Sequence, residues 1–228
     1  MHIEKLDFEN SPYLGVYGTA TDRVVLIREG LGEKKLEVLR DVLKVPLIET
    51  SVMKSRIVGI FAAGNSNAII VPWYIWDEEL DVINNGLREH GIDMEVVPFK
   101  SRLTAFGNLI LTNDRAALVS SKFTREEAKK LGDILGVEVE RGMIADYHSV
   151  GSAGVVTNRG GLVHPETTDD ELEWLRDLFK VDIRVGTANM GVPFVGSCML
   201  ANSHGVVVGH LTTGPEIVKI EEALGFLD

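Results

Sequence analysis

The chain has 228 residues, 45% of them apolar, which is enough for a sizeable buried core, and its formal charge of −11 disfavours partners that recruit proteins through phosphate. The same negative field favours encounter with a basic protein, including one embedded in a ribonucleoprotein, although acidic charge also serves solubility alone. One cysteine, Cys198, excludes an internal disulfide framework, and no run of 18 uninterrupted apolar residues suggests a membrane span.

Residues Ile3 to Phe8 read as a strand with no helix before it, and the N-terminus lacks the basic start and apolar run of a secretory signal, so a cytoplasmic protein is expected. A turn residue at Thr21 follows, then a weakly capped helix at Gly32-Glu33 with the apolar triplet Leu36/Leu39/Leu43, then a strand at Pro46–Ile48. Ile57 to Trp76, interrupted by Gly59, Gly64, Asn65 and Pro72, reads as two buried strands around a turn. Asp77-Glu-Glu79 then opens a helix with Leu80/Ile83/Leu87, and Met94–Val97 follows as a strand. Leu109–Leu111 and Ala116–Val119 flank the turn at Asn113-Asp114 as a hairpin. Thr124-Arg-Glu-Glu127 is a capping box in front of Ala128/Leu131/Leu135, with a strand at Val137–Val139. Asn158-Arg-Gly-Gly161, the capping box Thr168-Asp-Asp-Glu171, Leu172/Leu175/Phe179 and Val181–Val185 repeat the order. Asn202-Ser-His-Gly205, the box Thr213-Gly-Pro-Glu216 and Ile217/Ile220/Leu224 repeat it again, but only Gly225-Phe-Leu-Asp228 follows.

The first members of the triplets are 44, 48, 44 and 45 residues apart, and each triplet begins 14 or 15 residues after the turn residues Thr21, Asn65, Asn113, Asn158 and Asn202. The chain is therefore an α/β array of five ββαβ units, with approximate bounds 13–56, 57–102, 103–148, 149–192 and 193–228 plus 1–8. The N-terminal strand is expected to complete the fifth unit, closing one domain over 1–228 into a ring and removing the exposed ends of an open solenoid. Capped helices in every unit argue against a four-stranded propeller blade of similar period. The 48-residue spacing places an insertion near Arg88-Glu-His-Gly91 or Lys100-Ser-Arg102.

Catalytic motifs are absent: no phosphate loop, dinucleotide fingerprint, zinc-protease helix or nucleophile elbow occurs, and no cofactor or metal is expected. Cys198 is the best nucleophile candidate, with His204 or His210 as base, yet its register in the repeat marks a packing position and a buried inert thiol. The histidines show no ligand spacing, and Asp146-Tyr-His148 reads as well as a loop as an acid/base pair. Trp73-Tyr-Ile-Trp76, without basic neighbours in sequence, is expected to pack at a helix entrance rather than stack a base. Overlaying the units brings Val16, Ile60, Asn108, Ala153 and Ser197 into equivalent places among glycines, as tight packing near the axis or as a flat face for a protein partner.

Phe8-Glu-Asn10, Ser55-Arg-Ile-Val-Gly59, Gly64-Asn65, Leu103-Thr-Ala-Phe-Gly-Asn108, Thr112-Asn-Asp114, Val150-Gly-Ser152, Asn158-Arg-Gly-Gly-Leu-Val-His-Pro165 and Gly186-Thr-Ala-Asn189 together resemble the archaeal translation initiation factor 6 family, over essentially the whole chain. The resemblance implies the pentein fold, five ββαβ repeats around a pseudo-fivefold axis. It implies a non-enzymatic monomer that binds the large ribosomal subunit and sterically prevents premature joining of the small subunit. The partner it implies is mainly large-subunit protein L14, near protein L24e and the sarcin-ricin loop. It also implies that Val16, Ile60, Asn108, Ala153 and Ser197 face the ribosome, Asn108 foremost, with Ala153 standing where eukaryotic relatives carry a larger side chain. The same fold hosts guanidine-modifying enzymes, so a reaction at Cys198 is the alternative, and a small molecule in the axial channel is a third reading.

Overall fold

A computed structural model describes residues 2–227. Its strands form five three-stranded sheets arranged as a ring of blades. The inner strands are Gly18–Ala20, Ala63–Gly64, Ile110–Thr112, Gly154–Val156 and Met199–Ala201. Each pairs antiparallel with a middle strand: Val25–Arg28, Ala68–Pro72, Ala116–Ser120, Gly160–Val163 or Val206–Gly209. A long helix follows each middle strand, and the chain returns in an outer strand parallel to the middle one, at Leu47–Thr50, Glu95–Phe99, Glu138–Gly142 and Asp182–Val185. The fifth outer strand is Ile3–Leu6, which lies parallel to Val206–Gly209 with Ile3 opposite Val206. The N-terminal strand thus completes the last unit, and the architecture is a pentein.

The long helices run over Glu33–Leu43, Asp77–Glu89, Arg125–Leu135, Asp169–Phe179 and Gly214–Ala223. Every triplet residue is buried except Leu80 and Ile217, which are half-buried, so each helix lays its apolar stripe on the sheets and turns its charges outward. Thr124 and Thr168 accept from the backbone N–H of Glu127 and Glu171, whose carboxylates return the bond to the threonine N–H, as a capping box requires. Gly32 gives the first helix no side-chain cap.

The core consists of five clusters lying between consecutive blades. Leu111 and Leu118 of the third unit pack with Leu175, Phe179 and Ile183 of the fourth, and Val25 and Ile27 of the first pack with Leu200 and Val207 of the fifth. Because each cluster joins residues of two consecutive blades, closing the ring buries apolar surface that the ends of an open array would expose. The insertion lies at the end of the second helix. Glu95 pairs with Ala68, 27 residues earlier, whereas the corresponding offset is 22 in the pairs Val25–Leu47, Ala116–Glu138 and Gly160–Asp182.

Since middle and outer strands run the same way, the helix starts and the loops after the outer strands share one end of the ring, here called upper. The tight turns and helix ends share the lower end. There the Asn65 amide donates to the carbonyls of Asn113 (3.2 Å) and Leu135 (3.0 Å) in the next unit. Asn113 does the same to Thr157 and Phe179, and Asn202 to Thr21 and Leu43. In the first and fourth units, whose turns open at Thr21 and Thr157, an arginine two positions on takes the place of the amide: Arg23 reaches the carbonyls of Ser66 and Asp93, and Arg159 that of Gly225.

Candidate contact face

The segments entering the inner strands, which sequence suggested as strand starts, close instead as single helical turns: Leu14–Val16, Val58–Phe61, Phe106–Leu109, Val150–Ala153 and Val195–Cys198. Each carries a glycine, and the five glycines form a closed cycle. A Cβ on Gly59 would overlap the carbonyl oxygen of Gly15, one on Gly107 that of Gly59, one on Gly151 that of Gly107, one on Gly196 that of Gly151, and one on Gly15 that of Gly196. Only glycine permits this backbone approach, which draws the five turns together around the axis. The channel beneath them, lined by the five glycines and by inner-strand residues such as Ile110, Val155 and Leu200, holds about 110 Å³, below the roughly 300 Å³ at which ligand pockets begin, which disfavours the axial small-molecule reading.

The residue after each glycine stands half-buried on the upper face: Val16, Ile60, Asn108, Ser152 and Ser197. The fourth member is Ser152, not Ala153. Thr157, whose N–H bonds the carbonyl of Gly160 as Asn113 bonds Ala116 and Asn202 bonds Gly205, is the true turn residue of that unit, and Asn158 follows it. Ala153 is fully buried, in register with Tyr17, Phe61, Leu109 and Cys198. The signal was present in the helix spacing: a turn at position 157 restores a uniform interval of 15 residues to every triplet, where Asn158 left one interval of 14.

Around this ring run loops that sequence reasoning missed. Phe8–Ser11, Val52–Ser55 and Ile144–Tyr147 close as two-residue turns with both central residues at positive φ, namely Glu9 (56°) and Asn10 (65°), Met53 (58°) and Lys54 (56°), and Ala145 (48°) and Asp146 (65°). None of these is glycine, and this backbone is unfavourable for ordinary side chains. The capping carboxylates hold two of these turns and the three-residue loop between Ala188 and Val192. Glu79 accepts from Met53 N–H (2.8 Å) and Lys54 N–H (2.7 Å), Glu171 from Ala145 N–H (3.1 Å), and Glu216 from Met190 N–H (3.2 Å) and Gly191 N–H (2.8 Å). One carboxylate therefore caps a helix and fixes the preceding loop. Burial works to raise the Glu216 carboxyl, yet the hydrogen bonds from Thr213, Gly191 and Thr187 outweigh it and hold the group at about 2. Glu79 is lowered in the same way, burial again opposing Ser51 and the backbone N–H groups.

Among the described residues, seven of the ten exposed large hydrophobic side chains lie in the segments of the upper end: Tyr13, Trp73, Tyr74, Trp76, Tyr147, Met190 and Leu211. Trp73 and Trp76 are about half exposed (51% and 49%), and only Ile75 of that cluster packs inward, so the expected packing role fails for both indoles. Basic neighbours also exist, brought from elsewhere in the chain: Lys54 Nζ sits 3.7 Å from the Trp76 ring centre and Lys100 Nζ 5.7 Å from that of Trp73.

No reactive group is assembled among the described residues. Cys198 is fully buried, its thiol donates to the Phe194 carbonyl at 3.5 Å, and burial pushes its pKa up to about 12, so it is not a nucleophile at neutral pH. His204 lies in a lower-end turn and His210 at the upper end, and neither hydrogen-bonds the thiol. His148 contacts Ser121 Oγ at 2.8 Å, while His164 is buried against Tyr147 and Phe194 and lowered by that burial. No group of three or more His, Cys, Asp or Glu side chains suited to a metal occurs among the described residues.

Fold and face together define a pentein whose upper end gathers exposed aromatic side chains around five half-buried positions, with no catalytic centre assembled among the described residues. The profile of the eIF-6 family matches residues 3–223, and the chain belongs to that family. Translation initiation factor 6 of Thermococcus onnurineus is 87% identical over the full length of both chains, that of Pyrococcus horikoshii 78% over the full length of both, and that of Methanocaldococcus jannaschii 44% over 96% of each. These relatives are named as translation initiation factors, a non-enzymatic class. Among solved structures, dimethylarginine dimethylaminohydrolase in adduct with S-methyl-L-thiocitrulline aligns with a TM-score of 0.47 at 13% identity, covering 75% of this chain and 68% of the other. A likeness of that size carries nothing about activity.

Proposed function

We propose that the protein binds the large ribosomal subunit through its upper face and blocks association with the small subunit by occupying the space the small subunit would take. The observation that carries this reading is the concentration of exposed aromatic and apolar side chains around a ring of half-buried positions at one end of an otherwise charged molecule. Protein contact surfaces are enriched in such residues, and isolated monomers seldom collect them on one face. The charge of −11 favours a basic ribosomal protein over bare rRNA as the principal contact, in keeping with L14, with L24e and the sarcin-ricin loop nearby. Action is stoichiometric, by a monomer in the cytoplasm, with no bond made or broken.

Co-sedimentation with purified large subunits, followed by a subunit-joining assay, tests this. The protein should travel with the large subunit and suppress joining as it approaches saturation. Equal joining at saturating protein would overturn the reading.

A further inference from the structure

Beside the upper face, between the first blade and the second helix, lies an open pocket of about 350 Å³ whose lining includes Glu29, Lys54, Trp76, Glu78 and Val82. Trp76 and Val82 supply exposed apolar surface, and the Lys54 ammonium rests on the indole face. The Glu29 and Glu78 side chains, both exposed, take no hydrogen bond or ion pair among the described residues, whereas the neighbouring Glu79 carboxylate is consumed by Ser51, Met53, Lys54 and Trp76. A π face, an apolar wall and two uncommitted carboxylates in one pocket are complementary to a planar cation on a methylene stem.

We infer that this pocket receives an arginine side chain from a basic protein segment docked alongside the contact face. A guanidinium can lie flat on the Trp76 indole while its N–H groups reach a carboxylate, a combination unavailable to a compact ammonium. The position already attracts a cation, since Lys54 occupies the ring at 3.7 Å, and an incoming guanidinium displaces it into solvent. Lys54 is held by its backbone N–H bond to Glu79, so its side chain can leave without unfolding the turn. The inference rests on the proposed ribosomal role only for the source of the arginine.

The test follows the indole N–H signals of Trp73, Trp76 and Trp174 by ¹⁵N NMR during titration with acetyl-Arg-Arg-Arg-amide and with its neutral counterpart carrying citrulline. The Trp76 signal should move saturably with the arginine peptide and stay in place with citrulline, while Trp174, tied to Glu140 at 2.8 Å, serves as the unmoving reference. Lys54→Ala should tighten the arginine peptide about two- to fivefold by removing the competing cation. The double variant Glu29→Gln, Glu78→Gln should weaken it by a similar factor. A Trp76 signal indifferent to the arginine peptide, or equally responsive to citrulline, would overturn the inference. Co-sedimentation separates the two ideas: loss of parent binding to large subunits removes the ribosomal reading, while the peptide titration alone decides arginine capture.

Discussion

The Ser152 hydroxyl donates to Oδ1 of Asn108 at 2.9 Å, joining the third and fourth units across the upper face. The bond identifies Ser152 as the fourth member of the face, and it separates two substitutions at adjacent positions. Ser152→Arg, at a half-buried surface position, should leave the protein folded and weaken large-subunit binding about tenfold or more, as should Asn108→Arg. Ala153→Arg should fail to fold, because the site has no exposure and an unpaired guanidinium would be buried there. Circular dichroism and co-sedimentation on the three variants decide the matter, and unchanged affinity in folded Ser152→Arg and Asn108→Arg would refute the face.

The glycine cycle makes a prediction about stability alone. Gly107→Ala sets a methyl group against the carbonyl oxygen of Gly59, and both are backbone, so relief requires moving a whole helical turn. A loss of about 3 kcal/mol is expected, a fall of roughly 6–12 °C in Tm for a chain of this length. Gly214→Ala is the matched control, since a Cβ there meets nothing within 4 Å at the first position of the last helix, and its Tm should hold or rise slightly. Equal Tm changes in the two variants would show that the axial contacts are looser than described.

Repeat order, helix stripes and ring closure were legible because each rests on a local rule. Leu131 and Leu135 must share a helix face, Thr124 and Glu127 must cap it, and Ile3–Leu6 was a strand without a unit. The single helical turns at Val58–Phe61 and its equivalents were hidden, because their conformation comes from glycines meeting across units rather than from their own propensities. The same holds for Met53 and Lys54, whose positive φ is stabilised by a carboxylate about 25 residues away in sequence and has no local signature. Trp76 was misjudged for a related reason: its cationic neighbour Lys54 lies 22 residues earlier and arrives through the blade contact.

Glu216 should give the protein a measurable acid dependence. Its folded-state carboxyl sits at about 2 against an ordinary value of 4.5, a depressed pKa, so the stability it supplies is complete above 4.5 and disappears as pH falls towards 2. The shift corresponds to something on the order of 3 kcal/mol at neutral pH. Glu216→Gln should therefore be less stable than the parent near neutrality, with the difference closing progressively below about pH 4. Urea denaturation across that range measures it, and a difference independent of pH would assign the effect to lost cap geometry rather than charge.

Cys198 provides the sharpest contrast between the enzymatic and the binding reading of this fold. A nucleophilic thiol needs thiolate character and access, and this one has neither, being fully buried with a pKa of about 12. Thiol reagents at neutral pH should label native protein only at the rate of unfolding and should label it promptly in denaturant. Its register equivalents are Tyr17, Phe61, Leu109 and Ala153, a set of aromatic and aliphatic side chains that marks a packing position of the repeat. Cys198→Ser, nearly isosteric, should keep full large-subunit binding and lose no more than about 2 kcal/mol of stability, because the hydroxyl can still donate to the Phe194 carbonyl. Prompt native-state labelling, together with turnover of an arginine-type substrate by the parent but not by Cys198→Ser, would replace the binding reading with the catalytic one.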